Sequence, residues 1–318
     1  MRRAMGVACA VLAAILVATA AAAEKEPAMK DAARVEIVDE SFKAVAGAAA
    51  EVRRIAGDLK FTEGPVWFEA EKCLLFSDIP ADTIYKWTEA EGLKVWRKPS
   101  HNSNGNTCDH EGRLVTCEHG SRTVTRTGKD GKVETLCSTY QGKLLNSPND
   151  AAVRKDGTIW FTDPPYGIDA KMKVQDRNHV FRLDPGAKEP VSVASEFAMP
   201  NGICFSPDEK LLYVADSGGP HHVRRFRVKD DNTLEGGEVF VTISPGGPDG
   251  IRCDRDGRLY STAGDGVQVF SVEGKLIARI RTPEPAANCT FGGPGNRTLF
   301  ITARPTVWAV PLAVPGAR

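Results

Sequence analysis

Short apolar runs bounded by turn residues recur along most of the chain at nearly equal distances. Six of them share a consensus: KCLLFSD at Lys72–Asp78, GRLVTCE at Gly112–Glu118, GTIWFTD at Gly157–Asp163, KLLYVAD at Lys210–Asp216, GRLYSTA at Gly257–Ala263 and RTLFITA at Arg297–Ala303. Runs of this length, rich in β-branched and aromatic residues and flanked by Gly, Asp and Asn, read as strands joined by hairpin turns. Each is preceded by another apolar run whose first residue is an acid or an amide: Glu63, Asn104, Asn149, Asn201, Asp249 and Asn288. These starts are spaced by 41, 45, 52, 48 and 39 residues, a mean period of 45.

A third strand follows in every unit, at Thr83–Trp87, Arg122–Arg126, Val180–Leu183, Val223–Val228, Gly266–Phe270 and Val307–Val310. Five units have a fourth, at Leu93–Arg97, Lys132–Cys137, Pro190–Ala194, Gly237–Thr242 and Lys275–Arg281. Four strands at this period predict an all-β, six-bladed β-propeller with four-stranded antiparallel blades. The sixth unit ends near Val310 without a fourth strand. The N-terminal segment supplies one, either Arg34–Val38 or Val52–Ile55, which closes the ring and removes its exposed edges. No long helical periodicity competes, and Ala44–Ala50 is at most a short helix or loop on the rim.

Residues 1–23 stand apart from this pattern. Arg2 and Arg3 precede an apolar run that ends in Ala21-Ala22-Ala23 before the polar Glu24, the layout of a secretory signal peptide. The expected organisation is a leader at 1–23, an N-terminal segment with the closing strand at 24–58, and the propeller at 59–318. The protein is then exported, to a periplasm or beyond, with no stable membrane span after cleavage. Composition is globular, with 42% hydrophobic and 26% charged residues. Lys+Arg 41 balances Asp+Glu 41, which excludes the basic footprint of a nucleic-acid binder. Of the eight cysteines seven follow the leader. Their spacing fits neither a disulfide framework nor a zinc site, and most lie in apolar runs as small buried hydrophobes. One pair, Cys108 and Cys117, is a candidate disulfide across the hairpin at Glu111-Gly112.

In a propeller the first strand of each blade lines the central channel, so the six starts gather at one mouth. Singly, Asn-Gly and Asp-Gly are turn dipeptides. In register they are a ring of two carboxylates and four amides without Lys, Arg or His. Oxygen donors of this kind suit one hard divalent cation, calcium first, with zinc, magnesium or manganese also compatible.

The strings FTEGPVW (Phe61–Trp67), SPND (Ser147–Asp150), MPNG (Met199–Gly202) and GPDG (Gly247–Gly250) resemble the SMP-30/gluconolactonase/LRE family. WFTDPPYGI and the segment from Ser103 to Arg126 resemble its bacterial gluconolactonase branch. The resemblance runs from about Leu59 to Val310. It implies a six-bladed propeller with one catalytic metal, ligands falling on Glu63, Asn201 and Asp249. It also implies Asn149 on metal or substrate, Asp150 near the substrate, and Asp249 as the base. One departure stands out: where animal members carry a lactone-contacting Arg, two positions before the SPND-type Asn, this chain has Ser147. His101, His119, Arg122 and His221 are candidates for that role.

Hydrolysis of a sugar lactone follows from this constellation, with a bound cation polarising the carbonyl and Asp249 accepting the proton of the attacking water. Asn104, Asn149, Asp150 and His119 are then the substrate-side residues, His119 as an acid or clamp. The same architecture also accommodates an esterase or organophosphatase, or a non-catalytic ligand-binding propeller with a structural metal. Asp216-Ser217-Gly218-Gly219-Pro220 has the look of a serine nucleophile string, but no partner motif accompanies it. Asp254-Arg255-Asp256-Gly257 starts like a calcium loop, but the later spacing fails and a hairpin turn explains it. The sequence does not set the oligomeric state.

Overall fold

The computed structural model describes residues 33–48 and 50–317. The expected leader at 1–23 and the start of the N-terminal segment lie outside the described residues. Six sheets of at least four antiparallel strands follow one another around a channel. The first strands run along it: Thr62–Phe68, Ser103–Cys108, Ala151–Val153, Pro200–Phe205, Ile251–Cys253 and Asn288–Gly292.

Blades stack face to face, so a second strand is covered on both sides and reads as a continuous apolar run rather than an alternating one. Ile159–Asp163 and Leu259–Ala263 are buried at every position. Between blades 2 and 3, Val115, Cys117, Leu145, Phe161 and Phe181 form one apolar cluster. Between blades 4 and 5, Tyr213, Ala215, Ile251 and Leu259 form another. Outer strands such as Leu234–Thr242 are largely exposed.

Both N-terminal candidates form strands, with different partners. Arg53–Ala56 pairs antiparallel with Thr306–Pro311, Arg53 opposite Ala309 and Arg54 opposite Trp308, and closes blade 6. Arg34–Ile37 does not close the ring. It adds a fifth strand to blade 5, Val35 opposite Ile280, where Glu36 accepts from Arg281 Nε at 2.8 Å. Between the two strands, short helical turns at Glu40–Phe42 and Lys43–Ala46 bury Phe42 and Val45 among Tyr260, Ile277, Leu299 and Leu312. The alanine-rich stretch is thus a plug at the rim of blades 5 and 6.

At the far end of the channel the C-terminal tail crosses beneath the inner strands, Ala317 N donating to Cys253 O at 3.0 Å. All seven cysteines among the described residues are free, which corrects the candidate Cys108–Cys117 bridge. Cys108 lies opposite Leu114. Cys117 is three residues further along that strand, roughly 10 Å away, beyond the span of a disulfide.

Candidate active site

The segments that enter the mouth are pinned by the acid ending the second strand of their own blade. Asp78 accepts Lys60 N at 3.0 Å and Phe61 N at 3.1 Å, just ahead of Glu63. Asp216 accepts Ala198 N and Met199 N at 2.9 and 2.8 Å, just ahead of Asn201. Asp163 accepts Asn146 N at 2.7 Å, ahead of Asn149. Hydrogen bonds to a carboxylate are among the stronger ones, so the inner strands start at fixed heights around the channel.

Glycines then let those strands converge. A Cβ on Gly105 would lie 2.4 Å from Asn149 O, on Gly202 2.2 Å from Asp249 O, and on Gly250 2.0 Å from Asn288 Oδ1. Such distances are well inside van der Waals contact. The Asn-Gly and Asp-Gly starts are therefore close-approach positions around a narrow axis rather than turns.

The six start residues face one another around the mouth, tied by two separate sets of hydrogen bonds. Asn104 Nδ2 donates to Asn149 Oδ1 at 2.6 Å, Asn149 Nδ2 to Asn201 Oδ1 at 2.5 Å, and Asn201 Nδ2 to Ser217 Oγ at 3.0 Å. Ser217 in turn donates to Pro248 O at 2.5 Å. On the opposite side, Asn288 Nδ2 and Gly64 N donate to Glu63 Oε2 at 3.0 and 2.8 Å. Asp249, half-buried, faces Asn201.

Burial raises the Glu63 carboxyl to about 7, with Asp150 adding to the rise against hydrogen bonds from Gly64 and Asn288 and the charge of Arg252. Asp249 is pushed well above the carboxylate range by burial, then by Glu63 and Asp150. Beneath them Arg252 Nη1 donates to Asp150 Oδ2 at 3.2 Å, which neutralises one of the three carboxylates. The two left over match the charge of a divalent cation. The donors beside it are oxygens, two from carboxylates and others from amides, and this set fits a hard cation.

The ring opens into a cavity of about 530 Å³ lined by Glu63, Asn104, His119, Asn149, Asn201 and Asp249. Asp150 is placed differently from the expectation that it faces substrate. It is fully buried, stands where neighbouring inner strands have glycine, and turns into the channel toward Arg252. His119 lines the cavity, with Asn104 Nδ2 donating to its Nε2 at 3.2 Å. Burial lowers its pKa to about 4, so it meets substrate as a neutral ring, which suits a clamp better than an acid.

Among the candidates for the missing arginine, His221 lines the cavity. His101 instead bonds Glu118 at 3.0 Å, and Arg122 is spent on the carbonyls of Leu145, Asn146 and Met172. Among the wall residues that escaped the sequence reading are Tyr166 and Arg304, the latter with its guanidinium 5.8 Å from the Phe61 ring centre. Pro164-Pro165 marked a stiff loop ahead of Tyr166, but nothing local set its direction. Ser217 was weighed only as a nucleophile; its hydroxyl instead braces Asn201 against Pro248.

Fold and site together define a six-bladed propeller with an acid-and-amide ring at one channel mouth. The chain belongs to the SMP-30/gluconolactonase/LRE family, whose model, described as the SMP-30/Gluconolactonase/LRE-like region, matches residues 61–304. A gluconolactonase of Zymomonas mobilis is 32% identical over 82% of this chain and 81% of its own length. The structure of a gluconolactonase from Xanthomonas campestris superposes with a TM-score of 0.84 at 37% identity, covering 89% of this chain and 96% of that one. The regucalcin of Agrobacterium tumefaciens, described as a calcium-binding protein, shares the fold with a TM-score of 0.71 at 19% identity, over 85% of this chain and 98% of that one.

Proposed function

We propose that the protein is a lactone-hydrolysing enzyme that opens a sugar lactone with the help of one divalent cation, calcium first. The observation that carries this reading is the pair Glu63 and Asp249, two carboxylates at the floor of an open cavity, both raised by burial and Asp249 raised further by Glu63. The gluconolactonases among its relatives support the substrate class. Glu63, Asn149, Asn201 and Asp249 would hold the cation, which when bound supplies Lewis-acid polarisation of the lactone carbonyl.

The remaining work falls to the chain's own groups. Asp249, half-buried and facing the cavity, accepts the proton of the attacking water as the new C–O bond forms. That proton passes to the ring oxygen as the ester bond breaks, giving a hydroxy acid. Asn288 and Gly64 hold Glu63 in place; Asn104, itself on His119, holds Asn149. Phe61, Ile79, Pro80, Pro285 and Ala286 form the apolar wall and limit competing water near the carbonyl. Export is part of the same proposal, supported by the leader-like residues 1–23.

The test is proton release from glucono-1,5-lactone, with spontaneous opening subtracted. The protein is expected to exceed the spontaneous rate with a divalent cation present, and Asp249→Ala to lose about a hundredfold or more of that rate. A folded, cation-supplied protein that never exceeds the spontaneous rate contradicts the reading.

A further inference from the structure

The loop after the second strand of blade 3 carries Tyr166 over the mouth, and a single buried hydroxyl fixes it there. Ser147 Oγ donates to Pro164 O at 2.8 Å and accepts from Gly167 N at 2.8 Å, so it clamps the loop on both sides of Tyr166. Its neighbour Asn146 holds the two ends of the excursion, donating to Asp163 O at 3.0 Å and to Arg177 O at 3.2 Å. Gly167 lies directly on His119: a Cβ there would come 2.4 Å from the His119 Cβ and Cγ. The loop is therefore seated on one cavity-lining residue and tied through a second residue that lines nothing.

The Tyr166 side chain lines the cavity together with Asn201, Ser217 and Asp249 and keeps 44% exposure. The side chain is left open toward the cavity and the ring of start residues rather than packed into the core. An open aromatic face covers the C–H face of a sugar ring, and a phenol among amide and hydroxyl groups exchanges hydrogen bonds with ring hydroxyls.

We propose that Tyr166, set by the Ser147 clamp, is a specificity-determining residue that selects a polyhydroxylated lactone over a bare cyclic ester. The inference rests on the lactonase reading and assigns the recognition of the substrate's hydroxyls to a named side chain. A site built to hydrogen-bond a substrate hydroxyl rejects the analogue that lacks it, so selectivity is the quantity that Tyr166 should govern.

The experiment compares glucono-1,5-lactone with δ-valerolactone on the cation-loaded wild type, Tyr166→Phe and Ser147→Ala. Calorimetric binding of the non-hydrolysable gluconolactam and of 2-piperidone runs beside it. Tyr166→Phe is expected to lower the ratio of kcat/KM for the sugar lactone over δ-valerolactone by about tenfold or more, chiefly through KM. It should also weaken gluconolactam selectively against 2-piperidone. Ser147→Ala, which frees the loop, should shift both readouts in the same direction. An unchanged ratio and unchanged lactam affinity in folded Tyr166→Phe overturn the proposal. If the wild type opens neither lactone yet binds gluconolactam in a Tyr166-dependent way, the proposal stands and the hydrolase reading falls. A wild type that neither opens nor binds the sugar ring overturns both.

Discussion

Arg252 reaches Asp150 beneath the mouth at 3.2 Å, and both side chains are largely enclosed. A buried pair adds little net stability, but losing one partner strands the other. Arg252→Met is therefore expected to destabilise the fold by about 3–5 kcal/mol in urea unfolding. The loss should be much smaller in the double variant Arg252→Met/Asp150→Asn, where no lone charge is left. Asp163 supports a pH prediction of its own. Burial raises its carboxyl to about 7 from an ordinary 3.8, so between these limits the folded state holds a proton that the unfolded state has lost. Its contribution to stability is full below about 3.8 and is lost as pH rises toward 7. His119, lowered to about 4, acts in the opposite sense up to its ordinary 6.5. The difference between Asp163→Asn and wild type isolates the first effect: the variant's Tm advantage should grow from pH 4 to 7 and level off above. A constant difference across that range would show that Asp163 is ionised throughout.

The inner strand is the element on which the site depends, and its glycines are the most sensitive positions. Gly202→Ala would drive a methyl to within 2.2 Å of the backbone oxygen of Asp249, separating blades 4 and 5 where Asn201 and Asp249 meet. Overpacking of this kind costs about 1–3 kcal/mol or more, and the thermal midpoint should fall accordingly. Gly219→Ala, with nothing within 4 Å of the new methyl, is the matched control and should be nearly neutral. These same glycines show how much of the site could be read beforehand. The register of Glu63, Asn104, Asn149, Asn201, Asp249 and Asn288 was legible because a channel-lining position repeats with the blade. The reason for the following glycine was not, since a turn and a close approach use the same dipeptide. Asp150, which the resemblance placed near the substrate, instead turns into the channel toward Arg252. Tyr166 was illegible because its direction depends on Ser147 and His119, 19 and 47 residues earlier in the chain.

For the molecule as a whole, the six units and their common mouth were legible from the period alone, while the closure was left between two strands. What decides it is pairing at a distance: Arg53–Ala56 meets Trp308 and Ala309, and Arg53 reaches across to Glu89 of blade 1 at 2.8 Å. A chain starting at Leu59 would leave the outer edge of Thr306–Pro311 unpaired and remove the Phe42 and Val45 plug. It is expected to unfold at lower temperature and to aggregate through that edge, as read by thermal scans and light scattering. A truncated chain as stable and monodisperse as one starting at Glu24 would contradict closure by this segment. On the proposed function, one cation at the Glu63 and Asp249 ring turns this propeller into a lactonase. It is tested most directly by titrating metal-stripped protein with calcium, and in parallel with zinc, manganese or magnesium, while following glucono-1,5-lactone hydrolysis. Activity should rise to a plateau at one equivalent of the effective metal and stay flat in Glu63→Gln and Asp249→Asn. Full activity in stripped protein, or an undiminished titration in both variants, would contradict it.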